Sequence, residues 1–180
     1  EAAGWPRYPV LPVESCRLHA ASPPVPTTAP MRQSSTPVIR SARPGDAGLV
    51  LDFVKQLAAY ERLEHLVEST EALVDDALFG PRPAAECVIA ELDGRPVGFA
   101  LFFQNFSTFK GRPGLYLEDL FVVPEARGRG VGAALLHHLA TVAVSRHYGR
   151  VEWAVIDWNA DAIAFYRRLG AVAVDDWTVL

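Results

Sequence analysis

Three glycines, Gly128, Gly130 and Gly132, alternate with other residues in PEARGRGVGAALL, just ahead of an apolar run at helical spacing. Without Cβ atoms the backbone there can turn its N–H groups toward a ligand unobstructed, and a helix starting at that point adds the positive end of its dipole. A phosphate or diphosphate is the natural guest. Upstream, Glu118 and Asp119 interrupt an otherwise apolar strand, YLEDLFV. A desolvated carboxylate is costly unless it meets a cation, a hydrogen bond or water, so the pair points to a cationic ligand. Successive strand residues face opposite sides, so only one of the two is expected to face a given pocket.

Gly128-x-Gly130-x-x-Ala133 also satisfies the short form of a dinucleotide-binding loop. Such a loop follows an uncharged buried strand early in its domain, with an acidic residue about 20 positions on. Here PEAR intervenes, the strand is charged and it is the fourth in the chain, so that reading is disfavoured on all three points. The RGRG stretch does not suggest RNA binding either, because arginine-glycine segments that do so are usually longer and disordered, and the fold is acidic.

These residues need a scaffold. VIRSA reads as a short strand, and GDAGLVLDFVKQLAAYERLE follows with Leu49, Phe53, Leu57 and Tyr60 at helical spacing. A second helix is expected over 70–79, stopped by Gly80 and Pro81. CVIAEL and PVGFALFFQ, joined by Asp93-Gly94, carry a hairpin signature. KGRPG turns the chain into the acidic strand, and a helix follows over 130–147. VEWAVI is a further strand, 159–169 a helix stopped by Gly170, and AVAV and WTVL the last strands. The order β-α-α-β-β-β-α-β-α-β-β is a mixed α/β sheet.

The formal net charge is -4, which gives no general attraction to nucleic acid or anionic membrane. No run of about 18 apolar residues exists to span a bilayer. Cys16 and Cys87 have no paired spacing, so neither a disulfide framework nor a zinc site is supported, and a reducing, cytoplasmic setting fits. Residues 1–37 hold eight of the fourteen prolines and read as a disordered extension, leaving 38–180 as the folded domain. Met31 is the one methionine, and translation is expected to start there, with residues 1–30 an extension of the native chain.

VVPEARGRGVGAALL resembles the acetyl-coenzyme A (acetyl-CoA) signature of the GNAT N-acetyltransferases, Gln/Arg-x-x-Gly-x-Gly/Ala, matched by Arg127, Gly130 and Gly132. YLEDLFV, DWNADAIAFYRRLGA and LAAYERLE are similar to the diamine (spermidine/spermine) and thialysine branch of that superfamily. The resemblance implies a mixed, mostly antiparallel sheet flanked by helices, with strands splayed at the acetyl-CoA site. It implies that Leu120, Phe121 and Val122 hold the pantetheine arm, that Arg127, Gly128, Arg129, Gly130, Val131, Gly132 and Ala133 hold the pyrophosphate, and that Asn159 contacts the arm.

On the same resemblance, Tyr166, two turns after Asn159, protonates the departing thiolate, and the N–H of Phe121 or Val122 polarises the thioester carbonyl. Glu118 is the expected base, acting through water, and Tyr60, Glu61, Asp119 and Glu152 line the amine channel. No metal is required. The implied activity is transfer of acetyl to a primary amine of a small cationic molecule, by a homodimer without nucleic-acid or membrane partners. A protein-amine acetyltransferase and a non-catalytic acyl-CoA-binding module are the alternatives. STFKGRPG and IDWN look closer to thialysine-type members, while the acidic cluster of polyamine-specific members has only DDW at 175–177 to match it.

Overall fold

The computed structural model describes residues 36–174. Nearly all of the proline-rich extension, with Met31 and Cys16, and both DDW and WTVL lie outside the described residues. The elements run β1 (Val38–Ser41), α1 (Ala47–Glu61), α2 (Glu71–Phe79), β2 (Glu86–Leu92), β3 (Arg95–Ser107), β4 (Arg112–Val122), α3 (Val131–Ser145), β5 (Val151–Trp153) and α4 (Ala160–Arg168). The strands form one sheet in the order β1-β2-β3-β4-β5, antiparallel except for the parallel β4/β5 pair. The Asp93-Gly94 turn has both residues at positive φ, as a tight hairpin turn of the expected type requires.

Each face of the sheet is covered by helix. On one side Val131, Leu135 and Leu139 of α3 pack on Leu115 and Leu117 of β4, Phe102 of β3 and Val88 of β2. On the other, Val50 and Phe53 of α1 and Leu78 of α2 pack on Ile89, Phe99 and Phe121. The Phe53 and Phe99 rings stack with centroids 5.5 Å apart. Both cores converge on β4, which supplies side chains to each.

Two irregularities of β4 position the site. Leu117 pairs with Phe102 and Asp119 with Leu101, so Glu118 is one residue extra, a β-bulge. Leu117 and Leu120 both pack in the α3-side core, and the two residues between them therefore turn together toward the α1 side. This corrects the expectation that Glu118 and Asp119 face opposite ways: strict alternation fails where the bulge adds a residue. Secondly, β5 pairs with β4 only at Leu115–Val151, Tyr116–Glu152 and Leu117–Trp153. The expected VEWAVI strand stops at Trp153, and β4 runs on to Val122 with its β5 side beyond the ladder.

AVAV, expected as a strand, is not one. Residues 171–174 make no ladder, and Val172 and Val174 are exposed. Their alternating composition gives a strand pattern, but among the described residues no strand pairs with them.

Leu135 is fully buried where α3 meets the sheet. Leu135→Ala is expected to destabilise the fold by about 3 kcal/mol, the range for emptying a packed leucine site. Urea unfolding followed by circular dichroism measures this.

Candidate active site

The peptide joining Val122 to Val123 defines the open edge of β4. The Val123 N–H donates to the Val97 carbonyl of β3, 2.9 Å away. A trans peptide points the Val122 carbonyl the other way, to the side β5 has left. Arg127 Nε donates to that carbonyl at 3.0 Å. The Phe121 carbonyl faces β3, since a Cβ on Gly98 would lie 2.5 Å from it. Alternation then gives the splayed side the main-chain groups of Leu120 and Val122, and Phe121 belongs to the β3 ladder. Of the two N–H groups expected to polarise a thioester carbonyl, that of Val122 faces the opening.

The glycine turn is open. Gly128 and Gly130 sit at φ +71° and +80°, in the left-handed region that other residues enter at a cost, and nothing lies within 4 Å of where their Cβ atoms would be. Gly130 is the N-cap of α3 and no side chain caps the helix, so the first-turn N–H groups of Val131, Gly132 and Ala133 point into this space. Gly132 serves packing instead: a Cβ there would come within 3.2 Å of the Phe165 ring. That contact seats α4 against the start of α3.

Tyr166, beside Phe165, is half-buried, with its ring centroid 5.0 Å from that of Trp153, the last residue of β5. The phenol therefore stands where β4 and β5 part. Burial raises its pKa, and the negative charge of Glu61 raises it further, so it keeps its proton at neutral pH. Asn159 caps α4, its Oδ1 accepting from the Ala162 N–H at 3.2 Å, and the same oxygen accepts from the Tyr60 hydroxyl at 3.3 Å. The Arg127 guanidinium lies over the Tyr60 ring, 4.7 Å from its centroid.

Three carboxylates interact near the end of α1, and one of them, Glu61, also acts on the phenol. Asp119 is pushed up to about 6, chiefly by burial and then by Glu118 and Glu61. Glu61, at the end of α1, is raised by burial. Three acidic groups sharing one partly desolvated space favour a cation among them. Among the described residues no group of three or more His, Cys, Asp or Glu is placed to hold a metal ion, and no helix is long and apolar enough to cross a membrane.

Residues 53–171 match the family described as Acetyltransferase (GNAT) family. The chain belongs to that family. It is 40% identical over 143 residues to thialysine N-epsilon-acetyltransferase of Bos taurus, covering 74% of this chain and 83% of that protein. It is 31% identical over 198 residues to L-ornithine N5-acetyltransferase NATA1 of Arabidopsis thaliana, covering 85% and 87%. Among solved structures, an integron cassette protein from V. cholerae superposes with a TM-score of 0.66 at 26% identity, over 80% of this chain and 90% of that one. The protein is thus an acetyltransferase with the GNAT fold, as the sequence motifs imply.

In this acetyltransferase the expected residues separate into two groups. Val122, Arg127, Gly128, Gly130, Val131, Gly132, Ala133 and Asn159 border the open edge and the turn, and Glu61, Glu118 and Asp119 form the acidic group, which Glu61 links to Tyr166. Arg129 is exposed in the turn. Tyr60 joins Asn159 and Arg127 rather than the carboxylates, and Glu152 is engaged by Asn105 and by Arg150, 2.8 Å away. Sequence reasoning missed the bulge, the Arg127–Tyr60 stack and the role of Phe165 behind Gly132. The bulge had a signal: apolar residues step by two at Leu115, Leu117, then by three to Leu120, then by two to Val122.

A carboxyl whose folded pKa lies above its unfolded value binds its proton more tightly when folded, so its ionisation costs stability as pH rises from about 4 through about 6. Asp119→Asn is therefore expected to raise Tm at pH 7–8 relative to the parent, the gap closing below about pH 4. Thermal melts across that pH range measure it, and an equal or lower Tm at pH 8 contradicts the shift.

Proposed function

We propose that this acetyltransferase moves the acetyl group of acetyl-CoA onto a primary amine of a small cationic substrate, a thialysine- or ornithine-like amino acid, a diamine or a polyamine. The observation that carries the reading is that Glu61 acts both on Asp119, beside Glu118 on β4, and on the neutral Tyr166 phenol, whose ring stands against Trp153 at the end of β5. The relatives' activity toward thialysine and ornithine agrees with it.

The residues fit the coenzyme. Gly128 and Gly130 leave the turn unobstructed, the uncapped N–H groups of α3 suit a diphosphate, and the splayed edge at Leu120 and Val122 offers a strand-like partner to an amide-bearing arm. A bound acetyl-CoA supplies an activated thioester whose thiolate leaves when an amine attacks.

An alkylammonium with a pKa of about 10.4 is drawn in by the acidic group but must lose a proton to react. Asp119, raised to about 6, is a stronger base than an ordinary carboxylate yet still mostly ionised at pH 7. Glu118, exposed beside it, passes that proton to water. The Val122 N–H donates to the thioester carbonyl oxygen as charge develops there. Tyr166 delivers its phenolic proton to the departing sulfur, and the second proton lost by the attacking nitrogen restores the phenol. We further assign the protein to a reducing cytoplasm, in keeping with the buried, free Cys87, and to a homodimeric state.

The test is release of free thiol from acetyl-CoA with thialysine, ornithine and spermidine in turn. Turnover is expected with at least one of them, falling roughly tenfold or more in Tyr166→Phe with the KM for acetyl-CoA little changed. No thiol release with any amine, or full turnover by the Tyr166→Phe variant, overturns the proposal.

A further inference from the structure

Tyr60 and Glu61 are consecutive at the end of α1, yet they serve different parts of the site. Glu61 raises both Asp119 and Tyr166, whereas the polar and aromatic contacts of Tyr60 all lie elsewhere. Its hydroxyl donates to Asn159 Oδ1 at 3.3 Å. Its ring is 5.9 Å from that of Trp158 and 4.7 Å beneath the Arg127 guanidinium.

We propose that Tyr60 is a positioning residue for the coenzyme, holding Asn159 and Arg127 in place, rather than a wall of the amine channel. The inference rests on the acetyl-CoA reading given above.

Asn159 Oδ1 accepts twice, from the Ala162 N–H and from Tyr60. A flipped amide would set its NH2 group against the Ala162 N–H, donor against donor, so the orientation is fixed. The Nδ2 hydrogens are thereby held as donors turned away from the cap, the orientation an amide-bearing arm can use. Tyr60 locks the second lone pair of the oxygen and limits rotation of the side chain about its cap.

Arg127 depends on the same ring. Its Nε donates to the Val122 carbonyl on the splayed edge, and its guanidinium lies over two rings, 4.7 Å from the Tyr60 centroid and 5.8 Å from that of Phe121. Arg127 is otherwise exposed, and a long side chain on the surface samples many rotamers unless something holds it. The two aromatic faces supply that restraint and keep the positive charge at the start of the glycine turn. Asn159 and Arg127 come from separate elements, and Tyr60 is the side chain that touches both. Its contribution is shape and orientation, so it should appear in coenzyme binding and leave the chemical step alone.

Calorimetry with coenzyme A and steady-state kinetics on Tyr60→Phe and Tyr60→Leu test this. Tyr60→Phe, which loses only the hydroxyl, should raise the Kd for coenzyme A and the KM for acetyl-CoA roughly 3- to 10-fold, the size of one neutral hydrogen bond. Tyr60→Leu, which also loses the ring under Arg127, should raise both further, with Phe restoring part of what Leu loses. In each, kcat and the KM for the amine should stay within about twofold of the parent. A rise in amine KM with coenzyme binding unchanged, or no change in either constant, overturns the role of Tyr60 while leaving acetyl transfer intact. Failure of the parent protein to bind coenzyme A overturns both this role and the acetyl-transfer reading.

Discussion

Everything at the site follows from the early end of one parallel ladder. β5 pairs with β4 at three positions and then departs, while β4 continues to Val122. An unpaired strand edge inside a folded protein leaves N–H and C=O groups seeking partners, a condition most folds avoid by pairing or covering the edge. Here it is tolerated because β4 is secured otherwise: its other edge pairs with β3 along its whole length, and its side chains enter both cores. Arg127 satisfies one exposed carbonyl, and the divergence leaves room for a guest to satisfy other main-chain groups.

The second constraint is electrostatic. The bulge at Glu118 sets two carboxylates on one face, and the end of α1 brings Glu61 to them. Burial raises the pKa of Asp119, and the negative charges of Glu118 and Glu61 raise it further. Burial, with the charge of Glu61, keeps Tyr166 protonated. A site that must accept a proton from an ammonium and give one to a thiolate needs a base and an acid whose affinities are set apart from their usual values. In the proposed mechanism Asp119, raised toward neutrality, is the base and the phenol, held neutral, is the acid.

Much of this was legible in the residues. The glycine turn, the helix behind it, the N-cap at Asn159 and the hairpin at Asp93-Gly94 are local features, and each appears where its spacing predicts. The facing of Glu118 and Asp119 does not follow from simple alternation, because the apolar spacing of the stretch breaks from two residues to three. AVAV failed for a different reason: strand formation needs a neighbouring edge, which no local pattern reports. The partnership of Tyr60 with Asn159 and Arg127 joins residues up to 99 positions apart, a contact made only where the chain folds the end of α1 onto the N-cap of α4.

The most direct test of the account is amide hydrogen exchange, resolved to single residues along β4, with and without coenzyme A. If the open edge receives the arm of the coenzyme, exchange at the Leu120 and Val122 N–H groups should slow on binding, while Phe121, already in the β3 ladder, changes little. Binding that leaves Leu120 and Val122 unprotected would contradict the claim that the divergence of β4 from β5 is what this fold uses to hold its coenzyme.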